Sequence, residues 1–311
     1  MLKKTTLAKA IAYALAGVAL SAGAISNAAA GVTTMYNLTT SSGDDNSANT
    51  TNPTAGNSWA LTGNTDGWIY GFATPAGNPA NTVAKWVGTT GTRHAPFGYT
   101  APHLNWAIDF NGAGSGEIST FDAFNRYGVY ADIDTARGAW SDQALGGASG
   151  WRHDLDVGLF RSNITGLVTL NAQGILQSGT NFGFTVFRGM NTAPDYNHHG
   201  GWNGNNHNPT ATNSRLIGGG VSLTLADIVA FSVGSNNPAI PPVGINTLSF
   251  LAEANQVYTI AIGGYRNGSW VDTIDGYRLT VSQVPVPGAI WLFGTALAGL
   301  MGFQRRKAQK A

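Results

Sequence analysis

One Gly/Asn-rich segment concentrates side chains with the chemistry of metal ligands. Carboxylate oxygens and imidazole nitrogens are donors that zinc and copper accept. Adjacent histidines on a strand point to opposite faces, so a shared ion would require an irregular loop. We predict an exposed insertion over 195–208 with solvated histidines. A transition-metal site and a ligand contact through Tyr196 and Trp202 are the alternatives. The candidate ligands are Asp195, His198, His199 and His207.

Two pairs of carboxylates also have a spacing that could carry chemistry. Asp132 and Asp134 are two residues apart, as are Asp154 and Asp156. On a strand, side chains two apart share one face, so each pair could bind calcium or act as acid and base. The alternative is a polar strand end that satisfies a turn. The chain has neither a Gly-x-Ser-x-Gly nucleophile elbow nor a phosphate-binding glycine loop followed by a helix signal, and we predict no catalysis.

The composition restricts the class of protein. The chain has no cysteine, which excludes disulfides, thiolate metal sites and cysteine nucleophiles. Between residues 31 and 283, ten basic residues stand against sixteen acidic ones, a net charge of −6. An acidic body argues against nucleic acid as a partner. Charged residues make up only 11% of the chain and glycine 42 of 311 residues, a pattern typical of all-β extracellular proteins with polar loops.

Short apolar stretches bounded by Gly, Asn or Pro predict the elements that position these side chains. We predict an all-β fold, an antiparallel β-sandwich or jelly-roll-like body over residues 59–283, with Leu155, Val157 and Leu159 buried together. Residues 31–58 hold few large apolar side chains and predict a flexible N-terminal arm. The predicted strands are 104–110, 127–133, 155–161, 167–171, 182–187, 221–225, 229–233, 247–251, 257–262 and 277–281.

The first thirty residues have the three parts of a secretory signal peptide. Lysines at positions 3, 4 and 9 precede an uncharged apolar stretch over 10–24, and Ala28 and Ala30 supply the small residues of a cleavage site. We predict a signal helix over 1–30 that is removed after Ala30. Its partners are the general secretion machinery and signal peptidase.

The end of the chain also has three parts. An extended proline element precedes an apolar run over 289–303, and a basic tail follows it. An apolar run closed by Arg and Lys predicts a membrane helix whose tail stays in the cytoplasm. Fifteen helical residues rise only about 22 Å against a hydrocarbon core of about 30 Å, which favours a transient anchor. A buried helix of a soluble domain would show a polar face. The proline element is Val284, Pro285, Val286, Pro287 and Gly288, and the tail includes Arg305, Arg306 and Lys307.

This tripartite end, over 284–311, resembles the PEP-CTERM sorting signal of exported proteins of Gram-negative bacteria. Val286 stands where the family's usual tripeptide has glutamate. The resemblance implies recognition by an exosortase, export across the inner membrane, transient anchoring there, and a final place on the outer surface or outside the cell. It also implies exopolysaccharide and biofilm as the setting.

The body resembles the prepeptidase C-terminal type of bacterial β-sandwich over about 151–283. The resemblance rests on segments such as Asp154-Leu-Asp-Val-Gly-Leu-Phe-Arg and Gly276-Tyr-Arg-Leu-Thr-Val-Ser, and it implies a secreted, non-catalytic module. We therefore expect a sorted surface or matrix protein without a cofactor. The alternatives are a carbohydrate-binding module that uses exposed Trp and Tyr, and a polysaccharide-acting hydrolase.

Overall fold

A computed structural model describes the parts of the chain that carry the fold. The described residues are 31–37, 86–89, 94–101, 103–128, 131, 133–140, 155–175, 178–193, 222–232, 244–265 and 271–286. The predicted signal peptide over 1–30, the apolar run over 289–303 and the histidine insertion over 195–208 lie outside them. Residues Gly31–Val284 form one compact unit.

The described residues form twelve strands and one α-helix, which confirms the all-β class. The strands are β1 Gly31–Asn37, β2 Trp86–Val87, β3 Trp106–Asn111, β4 Gly114–Ile118, β5 Asp134–Trp140, β6 Asp156–Ser162, β7 Gly166–Gly174, β8 Asn181–Arg188, β9 Ile228–Phe231, β10 Thr247–Ala252, β11 Tyr258–Tyr265 and β12 Val271–Pro285, and helix α1 is Thr120–Tyr127.

These strands form two sheets that share one long strand. The first sheet runs β2-β1-β3-β6-β11-β8-β9, with β5 beside the end of β11, and the second runs β10-β7-β12-β4. The β3–β6 and β5–β11 pairs are parallel. Strand β12 pairs with β5 near its start and with β4 near its end, so it passes from one sheet to the other.

An aromatic core fills the space between the sheets. Phe160, Phe250 and Tyr258 pack together, with Phe160 and Phe250 in edge-to-face contact at 6.0 Å. Trp106 lies across strand β6 at Gly158, where a Cβ atom would stand 2.2 Å from the indole ring. Because real Cβ atoms do not approach this closely, Gly158 creates the space that Trp106 fills.

A second apolar cluster covers the outer face of the first sheet. The prediction that Leu155, Val157 and Leu159 are buried together is confirmed, since all three are fully buried in this cluster. Tyr99 and Leu104 of the preceding segment pack against them. Strand β6 is therefore buried on both faces, as Phe160 points into the core between the sheets.

Three sequence-based predictions are wrong in part. The flexible arm predicted over 31–58 does not begin at Gly31, because residues 31–37 form β1, which pairs with β3 over residues 31–36. The strand predicted over 127–133 starts in a helix: Ser119 caps the N-terminus of α1, and Gly128, at φ 71°, caps its C-terminus. The strand predicted over 221–225 is instead an extended segment that enters a 3-10 turn at Leu225.

Both ends of the compact unit meet at one end of the sandwich. Gly31 pairs with Asn111, and Gln283 pairs with Gly114, on either side of the β3–β4 turn. The β6–β7 and β10–β11 turns lie at the same end, because β6 and β10 run towards it in the pairing registers. We call this end the terminal pole.

Candidate functional site

A polar groove of about 340 Å³ opens at the terminal pole, on the outer face of the first sheet. Strands β1, β3 and β6 supply its floor, and the turns that follow β3, β6 and β10 supply its rim. Most of its polar side chains are amides or hydroxyls. The lining residues are Gly31, Thr33, Asp109, Phe110, Asn111, Arg161, Asn163 and Asn255.

An ion pair forms the floor of this groove. Asp109 and Arg161 face each other in register on the parallel strands β3 and β6. The Arg161 guanidinium donates to both carboxylate oxygens of Asp109, at 3.2 and 2.5 Å, and this hydrogen bonding raises the pKa of Arg161. The guanidinium also lies 4.2 Å from the centre of the Phe97 ring, at a distance suited to cation–π attraction. The pair is thus oriented from two sides and carries no net charge.

Asparagine side chains fix the rim. The Asn163 carboxamide accepts from the Gly112 backbone N–H at 2.7 Å and donates to the Asn111 side-chain oxygen at 2.5 Å. Asn255 has a left-handed backbone, at φ 63°, and its N–H donates to the Ser162 carbonyl at 2.6 Å. Asparagine tolerates this conformation better than most residues. The β3–β4 and β6–β7 turns are therefore tied together, and the rim is formed before any ligand arrives.

The arrangement suits a ligand rich in hydroxyl groups. Asn111, Asn163 and Asn255 are exposed, and carboxamides present donors and acceptors side by side. Because Asp109 and Arg161 neutralise each other, the described lining does not select strongly for an ion of either sign. The volume lies at the lower end of the range for small-molecule sites, about 300–1,000 Å³.

The described members of the two carboxylate pairs lie in the interior of the protein, away from the groove. Asp134 and Asp156 are fully buried, and the Tyr277 hydroxyl donates to Asp156 at 2.5 Å while accepting from the Trp106 indole N–H at 2.9 Å. Burial, followed by the charge of Asp156, raises the pKa of Tyr277 well above its usual value, with a smaller contribution from Asp134. Side chains without solvent access cannot act as acid and base on a polysaccharide. Asp132 and Asp154 lie outside the described residues.

The other predicted site residues lie mostly outside the described chain. This applies to Asp195, His198, His199 and His207, and among the described residues no three His, Asp or Glu side chains lie close enough to hold a metal ion. Val284 and Pro285 end strand β12 and Val286 follows it, while the remainder of the motif and the basic tail are not described. In the part of the chain that is described, no helix is long and apolar enough to cross a bilayer.

The groove residues carry no local sequence signal. Asp109 and Arg161 are 52 positions apart, and only the parallel pairing of β3 with β6 brings them together. Asn111 and Asn163 resemble ordinary turn residues because each is followed shortly by glycine. Predicting the site from the sequence would have required knowing that β3 and β6 are paired and that Asp109 lies opposite Arg161.

Comparisons with known proteins give only a distant structural likeness. No family model and no curated protein matches the chain. Among solved structures, CorA of Methylomicrobium album BG8, described as a surface-associated copper-binding protein important in copper acquisition, aligns with 14% identity and a TM-score of 0.29. The alignment covers 55% of this chain and 93% of that one. At this level the likeness carries no argument about ligand or location.

Proposed function

We propose that the chain is an exported, non-catalytic surface or matrix protein that an exosortase releases from a transient membrane anchor. One observation carries the proposal. The compact unit Gly31–Val284 starts directly after the predicted cleavage site at Ala30 and ends where the sorting motif begins. Both cores and all twelve strands lie between the two targeting segments, apart from Val284 and Pro285 at the end of β12. Removal of both segments would therefore take at most the last two residues of β12 from the folded body.

The sorting step is tested in matched bacterial strains with and without the exosortase gene. With the enzyme, we expect the body on the outer surface or in the medium. Without it, the chain should accumulate in the inner-membrane fraction, because the apolar run and its basic tail remain attached. Identical fractionation in the two strains would refute the exosortase step.

We further propose that the groove at the terminal pole binds exopolysaccharide. The support comes from the preformed rim of Asn111, Asn163 and Asn255 and the neutral Asp109–Arg161 floor. Sugars offer adjacent hydroxyl groups that both donate and accept, and carboxamides match this pattern. The proposed contact thus uses amides and one ion pair rather than the exposed Trp and Tyr of the carbohydrate-binding alternative.

A double variant of the rim tests the groove. Asn111→Ala/Asn255→Ala removes two exposed carboxamides, and two lost hydrogen bonds of about 0.5–1.5 kcal/mol each should weaken binding about 5- to 150-fold. The probes are a neutral β-1,4-glucan hexaose and a galacturonate hexaose, measured by titration calorimetry on the body. Asn171→Ala is the control, since Asn171 lies on the outer face of the other sheet. Equal affinity of the wild type, the double variant and Asn171→Ala, or no binding of either probe, would refute polysaccharide binding in the groove.

A further inference from the structure

Large apolar side chains are exposed in one corner of the second sheet. Four such residues are exposed among the described ones: Leu167 at 45%, Val229 at 43%, Leu251 at 56% and Val284 at 59%. Three of the four belong to β7, β10 and β12, which are neighbours in the second sheet. Single exposed apolar residues need no explanation, but three on adjacent strands do.

These three residues form a row across the sheet at the terminal pole. Leu167 and Leu251 are direct cross-strand partners in the β7–β10 ladder. Val284 lies on the other side of β7, where its carbonyl oxygen would stand 2.4 Å from a Cβ atom placed on Gly166. We call Leu167, Leu251 and Val284 the apolar row.

The face changes character immediately below the apolar row. Thr169 and Ser249 form the next cross-strand pair, with their hydroxyl oxygens 2.9 Å apart, and Asn171 and Thr247 follow, also joined at 2.9 Å. On β12 the exposed Thr280 and Arg278 continue this polar part. The outer face is therefore polar except at the edge nearest the terminal pole.

We propose that the apolar row rests on the outer surface of the inner membrane while the chain is anchored. This inference depends on the proposed sorting function. Strand β12 ends at Pro285, and only residues 286–288 separate it from the apolar run that begins at Ala289. Three extended residues span at most about 11 Å. The headgroup region on each side of the hydrocarbon is about 5–8 Å thick, so this edge of the body is held at the lipid interface.

The charges at the terminal pole do not oppose this contact. Arg188 and Glu253 pair at 2.6 Å beside the β10–β11 turn, and Arg161 pairs with Asp109 in the groove. Such pairs carry no net charge towards an anionic headgroup. Contact of the apolar row with lipid would also fix the distance of β12 from the membrane surface. Pro285 would then lie at the interface, within reach of a membrane-embedded enzyme.

Cysteine labelling tests the contact, because the chain has no cysteine of its own. The full chain carrying Leu251→Cys is labelled with an environment-sensitive dye and reconstituted in phosphatidylethanolamine/phosphatidylglycerol vesicles. Some of the lipid carries a headgroup-level spin-label quencher. Thr247→Cys is the matched control, since it lies on the same strand and face but about 13 Å further from the terminal pole. We expect several-fold stronger quenching at position 251 than at 247, and equal, weak quenching at both when the dye is read in detergent.

The outcomes separate this contact from the sorting function. Vesicle-bound protein that resists alkaline wash but shows equal quenching at both positions overturns the contact and leaves the anchor in place. Protein that washes off the vesicles overturns the anchor and the contact together. A concentration-dependent pyrene excimer at position 251 in detergent would identify a second copy as the occupant and overturn the lipid contact.

Discussion

The hydroxyl of Tyr277 occupies the centre of a fully buried polar cluster. It accepts from Trp106 and donates to Asp156, so three polar side chains are joined by hydrogen bonds inside an aromatic core. Buried polar groups are costly when a partner is removed. We interpret this cluster as structural, since its members have no solvent access, and Asp156, one of the paired carboxylates considered for catalysis, takes its hydrogen bond there.

The Tyr277 cluster predicts how stability changes at alkaline pH. In the unfolded chain tyrosine ionises near pH 10, whereas burial beside Asp156 raises the pKa of Tyr277 well above that value in the folded protein. The folded state therefore retains a proton that the unfolded state loses. As a result, the free energy of unfolding falls as pH rises above about 10, by up to about 1.4 kcal/mol per pH unit for each such tyrosine.

Urea unfolding of the wild type and Tyr277→Phe tests this at about pH 9 and about pH 11. At the lower pH the variant should be less stable by about 1–3 kcal/mol, because Asp156 and Trp106 lose their shared partner. Its stability should then fall less steeply with pH than that of the wild type. The remaining fall is assigned to Tyr36, whose pKa is raised by burial and by Asp122, and to Tyr258, whose pKa is raised by burial. If stability fell equally steeply with pH in the two proteins, the pKa of Tyr277 would not be raised by burial and this interpretation would be wrong.

Among the elements, β6 was the easiest to predict and β1 the hardest. Alternation in β6 identified Leu155, Val157 and Leu159 as one face, because a strand between two apolar layers still follows a period of two. Strand β1 has few large apolar residues, and its pairing with β3 decides its structure. Helix α1 spans only eight residues, too few for a clear helical period, although Ser119 and Gly128 are recognisable caps.

The crossing of β6 by Trp106 predicts a sharp difference between two glycine substitutions. In Gly158→Ala the new methyl group meets the indole ring at 2.2 Å, and overpacking of this kind costs about 1–3 kcal/mol or more. In Gly179→Ala nothing lies within 4 Å, so the change should be neutral or slightly stabilising. Denaturant midpoints of the two variants provide the comparison. A Gly158→Ala protein as stable as Gly179→Ala would show that Trp106 does not lie across β6.

At the scale of the whole molecule, the class of fold was predictable and the groove was not. Composition and short bounded strands indicated an all-β body. The order of the strands brings Asp109, Arg161 and Asn255 into one groove, and no local sequence pattern encodes that order. The same is true of the terminal pole, where the turns and both ends of the compact unit converge. The apolar row and the proposed polysaccharide groove therefore lie at one end of the body, on the outer faces of different sheets.

The intact mass of the protein released from cells tests the central proposal most directly. We expect a chain that begins at Gly31 and ends within the motif between Val284 and Gly288, because the compact unit spans Gly31–Val284. The same strain without the exosortase gene should yield a chain that keeps its basic tail. Released protein that still contains Arg305, Arg306 and Lys307, or that begins before Gly31, would contradict the account.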